Sequence, residues 1–281
     1  MAVDALSGRT LRVCALYPDL LDIYADRGNL LLLQRRCEWR KIGFQLSASG
    51  LHQPLDGDAH DLYYIGGGQD RDQRLCAEDL LAHKREALHA ASARGAVVLG
   101  ICGGYQLLGQ SYAIGQELIE GVGLLDVRTL REPGPRLIGN VAIEVSLPGA
   151  GANGNNGNDS GRGDERGARE AGSGHHGDGG GLPGVLAGFE NHGGRTYLGP
   201  DAEPLGRVLR GHGNDGRSGL EGARRGLTIG TYLHGPLLPK NAWFADWLTA
   251  SALGVDPGEL AQLEDSFERA AHANARRAAG V

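Results

Sequence analysis

Residues 96–109, AVVLGICGGYQLLG, constrain the chain more than any other stretch. Val97, Val98 and Leu99 form a short apolar run rich in β-branched residues, which reads as a buried strand. Gly100-Ile101-Cys102-Gly103-Gly104 then turns sharply, and Tyr105 to Leu108 leaves in a helical pattern. A strand, a tight turn and a helix in that order make a nucleophile elbow with Cys102 at its tip. Small residues flank the tip because a side chain beside the nucleophile would clash in the turn and block access. The first amides of the helix aim at the same space, which is expected to lower the thiol pKa and to offer oxyanion donors. The competing reading is an inert core cysteine beside a glycine turn. The flanking glycines and the apolar strand favour the elbow.

The rest of the chain supplies partners for such an elbow. Leu11 to Tyr17 (LRVCALY) reads as a first buried strand, followed by the polar turn Asp22 to Asn29 and a helix over 30–42. Residues 44–47 are a short strand candidate. Asp61 to Ile65 is another strand, and it runs straight into Gly66-Gly67-Gly68. With no Lys-Ser/Thr pair and no GxGxxG pattern, this triplet is a poor phosphate cradle. Either it is a flexible loop or it brings backbone N–H groups close to a neighbouring site. A long helix is expected over 73–94, with Cys76 and His83 as surface or packing residues. Strands follow at 123–128 and 136–145. Leu227 to Leu233 is a strong strand ending in His234-Gly235-Pro236, and Asn241 is placed to cap a helix over 242–253. Residues 257–279 read as a charged terminal helix.

Alternating strands and helices imply an α/β fold: a mostly parallel central sheet with helices on both faces. Ligands in such sheets sit at the carboxyl ends of the strands. Asp26, Gly66 to Gly68, Cys102 and His234 each follow a predicted strand and are expected to converge there. A cysteine and a histidine at one sheet edge suit nucleophilic acyl chemistry, with His234 as the base and His192 as the competing candidate.

Composition sets limits. Of 281 residues 41% are hydrophobic and 48 are glycine, and the glycine excess is local. Residues 151–181 hold 12 glycines in 31 positions, no aromatics and no aliphatic residue larger than alanine. Such a segment cannot bury enough surface to offset chain entropy and is expected to be a disordered insertion, His175-His176 included. The expected organisation is a loose leader over 1–10, one domain over 11–255 and a helical tail over 256–281. A net charge of −6 with interspersed signs argues against a nucleic-acid surface. Cys14, Cys37, Cys76 and Cys102 show no CxxC spacing, so neither a zinc site nor a disulfide framework is expected, and a reducing cytoplasm fits. The first residues lack the charged start and apolar core of a signal peptide, and no apolar run approaches the ~20 residues of a membrane span.

GICGGYQLLG with a later YLHG resembles the class I, triad-type glutamine amidotransferases, in their cobyric-acid-synthase-like branch, whose fold is flavodoxin-like. YADRGN (24–29), IGGGQDR (65–71), RLIGN (136–140), GFENHGGRTYLG (188–199) and GTYLHGPLLPKN (230–241) narrow the resemblance to the glutaminase (GatD) subunits of lipid II isoglutaminyl synthase. It covers roughly residues 11–253 and leaves the insertion and the tail unexplained. It implies glutamine hydrolysis at Cys102 through a γ-glutamyl thioester, with His234 as base and Arg136 binding the substrate carboxylate. Gly67, Gly68 and Gly103 would line the substrate. No cofactor is implied in this subunit. ATP and magnesium would belong to a MurT-like partner of the Mur-ligase family in a heterodimer, which would use the ammonia to amidate the D-glutamate of lipid II. Most class I members carry His-x-Glu, in which the glutamate orients the imidazole. Pro236 stands at that position here, and the aspartate of the YxDxGN turn, Asp26, is the implied substitute. A cobyric-acid-synthase-type enzyme would share the fold but needs a P-loop synthetase domain, and no P-loop is present. A non-catalytic scaffold would have no need of an intact Cys102 and His234.

Overall fold

The computed structural model describes residues 6, 8–23, 26–148 and 183–281. The 151–181 insertion and most of the 1–10 leader lie outside the described residues. The first half of the chain comprises β1 (Thr10–Leu16), α1 (Arg27–Trp39), β2 (Gly43–Ser49), β3 (Leu62–Ile65), α2 (Asp70–Asp79), α3 (Arg85–Ala93), β4 (Val97–Ile101) and α4 (Gly103–Leu108). β5 (Ser111–Ile114), β6 (Glu117–Glu120), β7 (Val127–Arg131), β8 (Leu137–Ser146), β9 (Pro183–His192), β10 (Gly194–Leu198), β11 (Gly206–Arg210), β12 (Leu220–Glu221), β13 (Ala223–Arg225) and β14 (Thr228–Thr231) follow. The chain closes with α5 (Leu237–Lys240), α6 (Ala242–Leu253) and α7 (Ser266–Ala279).

The central sheet has the order β13-β14-β4-β3-β1-β2. Every pairing in it is parallel except β13 with β14. All residues of β3 and β4 are buried, which is why both read as continuous apolar runs. Burial of each large aliphatic side chain there contributes about 1.5–3 kcal/mol. α1 and α6 pack together over β1, while α3 and α4 cover β4. The order reverses between β1 and β3, so a crevice opens at their carboxyl ends, the usual ligand position in such sheets.

Two further sheets, β10-β7-β5-β6 and β12-β11-β8-β9, were not evident from the sequence. The second is antiparallel throughout, and β9 also reaches the central layer. Phe189 and His234 exchange backbone hydrogen bonds, His234 N–H to Phe189 at 2.8 Å and Phe189 N–H to His234 at 3.3 Å.

Four elements differ from expectation. The strand expected over 123–128 forms later, as β7. The long helix expected over 73–94 is broken by a π turn at Leu80–Lys84. Asn241 occupies the position before α6 without capping it, because its amide is committed to β9: Oδ1 accepts from Ala187 N–H, and Nδ2 donates to the carbonyls of Ala187 and Leu237. The terminal helix starts at Ser266, not at 257. A short 3₁₀ turn at Pro257–Glu259 precedes a non-helical stretch that two arginines of the α1 region hold in place. Buried Arg36 makes paired bonds to Asp246 and reaches Asp265, and Arg40 binds Asp246 and the Ala261 carbonyl. α7 then packs on α5, β8 and β9.

Candidate active site

Cys102 sits between β4 and α4 with φ 51° and ψ −100°, a backbone conformation that L-residues rarely adopt. Strain of this kind is held only where the surroundings over-determine it. Here the Cys102 N–H donates to Thr231 O of β14 at 2.8 Å, and its carbonyl accepts from Gln106 N–H. The glycines on either side permit close approach. A Cβ on Gly104 would lie 2.3 Å from the Ile65 carbonyl oxygen, and one on Gly103 would lie 2.0 Å from Gln73 Nε2 and 3.1 Å from the Gly68 nitrogen. Gly103 and Gly68 therefore bring two backbone segments together beside Cys102.

Asp26 is fully buried and does not cap α1. Asp22 accepts the Arg27 N–H at 2.8 Å, which leaves Asp26 free to turn inward. Its Oδ2 accepts the Gly67 N–H at 2.6 Å, while Oδ1 has no hydrogen-bond partner among the described residues. Gly67 thus packs against both Asp26 and His234. A Cβ there would lie 3.2 Å from Asp26 Oδ2 and 3.4 Å from His234 Cε1. The Gly67 N–H is spent on Asp26.

Pro236 has a packing role in this arrangement. A Cβ on Gly28 would come within 2.9 Å of Pro236 Cγ, so the Asp26 turn seats directly on the His234 loop. Asn29 ties the same two segments, accepting from Leu238 N–H at 2.8 Å and donating to Tyr64 Oη at 2.9 Å.

The Gly188–His192 stretch holds the other side. Gly188 admits Leu233 and the His234 carbonyl, which a Cβ would meet at 3.1 and 3.2 Å. Glu190 accepts from the N–H groups of His212 and Gly213. Asn191 holds Arg136, whose Nε donates to Oδ1 and Nη2 to the carbonyl oxygen, both at 2.9 Å. His192 stacks on Tyr232 at 3.6 Å between ring centroids, with Nδ1 against the Gly194 carbonyl, which makes it a packing residue. None of these supporting roles was read from the sequence. The signal available was a run of mixed polar residues immediately after a β-strand pattern.

Burial dominates the electrostatics. It pushes the Cys102 thiol up to about 12, with Asp26 adding to the effect, and the Gly103 N–H and the Arg136 charge only partly oppose this. The sequence expectation of a lowered thiol pKa is therefore corrected, because desolvation of the buried thiol outweighs the helix N-terminus. Burial likewise raises the Asp26 carboxyl to about 7. It lowers His234 to about 3, with His192, Lys240 and Arg136 contributing. The resting groups form a neutral thiol and a neutral imidazole beside a carboxyl that titrates near neutrality, and the Arg136 charge is felt at both Cys102 and His234.

Residues 12–242 match the family described as the CobB/CobQ-like glutamine amidotransferase domain. The chain is 35% identical to the glutamine-hydrolyzing GatD subunit of lipid II isoglutaminyl synthase from Streptococcus pneumoniae, over 90% of this chain and 84% of that one. It is 36% identical to the Staphylococcus aureus subunit of the same name, over 83% and 81%. A cobyric acid synthase from Cereibacter sphaeroides is 36% identical, but over only 56% of this chain and 24% of that protein.

Proposed function

The chain belongs to the CobB/CobQ-like glutamine amidotransferases and, within them, to the GatD subunits of lipid II isoglutaminyl synthase, and from that membership we propose how it works. It is an enzyme subunit with a glutamine amidotransferase role in lipid II amidation. In the proposed reaction Arg136 binds the substrate α-carboxylate through its guanidinium, held in place by Asn191. Cys102 attacks the side-chain amide of glutamine. His234 takes the thiol proton as the carbon–sulfur bond forms, and the tetrahedral oxyanion is met by backbone amides at Gly68 and Gly103. The carbon–nitrogen bond then breaks, and the imidazolium gives its proton to the leaving ammonia. Water, deprotonated by His234, hydrolyses the γ-glutamyl thioester to glutamate. Asp26 stabilises the imidazolium from beside the ring.

A neutral thiol–imidazole pair is slow to react in an apolar enclosure. Substrate binding or partner docking would favour charge separation by bringing further polar groups to the site. The ammonia passes to a MurT-like, Mur-ligase-family subunit that carries ATP and magnesium, activates the D-glutamate α-carboxylate of lipid II and forms D-isoglutamine. The chain would act in the cytoplasm, bound to that partner. No helix among the described residues is long and apolar enough to cross a membrane.

The observation that supports this reading most is the left-handed Cys102 at the β4–α4 turn, together with the glycine that packs against both Asp26 and His234. The test is lipid II amidation by this chain with a Mur-ligase-like partner. Cys102→Ser should abolish amidation from glutamine and leave amidation from added ammonium intact. Equal loss with both nitrogen sources would make the defect structural.

A further inference from the structure

A second cluster lies on the carboxyl side of the sheet and plays no part in glutamine chemistry. Asp79, at the end of α2, is almost fully buried, while His52 and His83 beside it are exposed. One ligand atom from each of the three lies within 4.8 Å of the others. The backbone arranges this group twice over. The π turn at Leu80–Lys84 widens the helix, so that both the fourth and the fifth residues beyond Asp79 return to it. Lys84, the fifth, is buried and pairs with Asp79 Oδ2, which also accepts from the Tyr17 hydroxyl. His83, the fourth, is left on the outside. From the loop after β2, His52 adopts a left-handed φ of 59°, and its N–H donates to Asp79 Oδ1 at 2.7 Å. This sets His52 Nδ1 3.5 Å from the same oxygen and the two imidazoles edge to face with centroids 5.9 Å apart.

We propose that His52, Asp79 and His83 form a binding site for a borderline transition-metal ion of the zinc class. Two imidazoles and one carboxylate oxygen suit Zn²⁺, Ni²⁺ or Co²⁺ and disfavour Mg²⁺ and Ca²⁺, which prefer oxygen ligands. The rings are at the surface and rotate at little cost, so ligand atoms within 4.8 Å of one another close to the ~2.0–2.2 Å ligand distances of zinc without backbone movement. Lys84 and Tyr17 engage Oδ2, and Oδ1, which already accepts the His52 N–H, offers its second lone pair to the ion, so the carboxylate orientation is fixed by contacts other than the ion, as supporting contacts do in metal sites. The remaining coordination positions face solvent. An ion there ties the β2–β3 loop to the π turn and stabilises the fold by an amount that grows with the logarithm of its free concentration once this exceeds the dissociation constant.

The test uses the full chain with His175→Ala and His176→Ala, which removes the tandem histidines as competitors. Titration with Zn²⁺ by calorimetry should give one ion per chain, and Co²⁺ should give a visible ligand-field absorption. His52→Ala and His83→Ala should each remove the ion and the zinc-dependent rise in melting temperature, while glutaminase activity is unchanged. Because both rings are exposed, folding of these variants is checked by far-ultraviolet circular dichroism. His83→Gln and the zinc-induced shift of the His52 and His83 ring resonances provide a second reading. Binding that survives loss of both imidazoles, or that disappears only when thiols are blocked, would overturn the proposal.

Discussion

The Asp26 carboxylate and the His234 imidazole both lie within 3.4 Å of the one point where a side chain on Gly67 would begin. Gly67→Ala is therefore expected to separate them by a few tenths of an ångström. The backbone there needs no left-handed conformation, so the fold should survive. Misplacement on this scale should lower kcat about tenfold with little change in KM. Gly66→Ala is the control for gross disruption, because its Cβ would lie 2.2 Å from the Leu21 carbonyl oxygen and should cost soluble protein. Steady-state kinetics on soluble Gly67→Ala checks this. Unchanged kcat would show that the proximity does not serve catalysis.

Burial raises Asp26 to about 7, and the sign of the resulting pH dependence is fixed. Between the ordinary carboxylate range and that value the folded chain holds a proton that the unfolded chain has released. This group therefore lowers stability as pH rises through the window. Asp26→Asn removes the effect. The variant should gain stability relative to the parent between about pH 5 and about pH 8, by a few kcal/mol at most, while kcat falls by orders of magnitude. His234 acts oppositely. With its folded value near 3, it makes the parent lose stability as pH falls below its ordinary value of about 6.5. Thermal melts across pH check both slopes, and an Asp26→Asn difference that does not change with pH would contradict the burial assignment.

Arg136 is held by Asn191 through two bonds at 2.9 Å. Arg136→Ala should raise the KM for glutamine about 10–100-fold, the loss expected for charged hydrogen bonds worth about 1.5–3 kcal/mol. Lysine should rescue only in part because it lacks the fork. Asn191→Ala should raise KM less, by freeing a guanidinium that stays charged. If neither arginine variant moves KM, Arg136 has a structural role only.

β8 and β9 pair in continuous register from Leu137 with His192 to Ser146 with Pro183. Ser146 and Pro183, on either side of that segment, are thus already paired, and a short turn can join them. The segment is residues 151–181. Deleting residues 151–181 should leave solubility and glutaminase kinetics unchanged, because shortening such a connection alters closure entropy little. Insoluble protein would show that the segment contributes to the fold.

The parallel sheet was legible because β1, β3, β4 and β14 are dense apolar runs followed by glycine or polar turns. The elbow was legible because its glycines have no other use. β5 and β6, a four-residue hairpin pair, were hidden by shortness, β7 lies four residues later than the strand pattern at 123–128, and the π turn was hidden by a helical pattern that continues through it. Arg36 with Asp246 and Asp265 looks like ordinary surface charge until α1, α6 and the tail meet. Gly67 as the common neighbour of Asp26 and His234, Pro236 as the seat for Gly28 and Asn191 as the clamp on Arg136 are long-range relationships that no local spacing encodes.

The most direct test of the account is covalent labelling with diazo-oxo-norleucine, an electrophilic glutamine mimic, followed by peptide mapping. Cys14, Cys37 and Cys76 lie at most 1% exposed in the core, whereas Cys102 stands at the strained turn. One adduct per chain is expected, on Cys102, formed in step with loss of glutaminase activity and greatly slowed by His234→Ala. An adduct spread over the core cysteines, or glutaminase activity that persists in fully labelled protein, would contradict it.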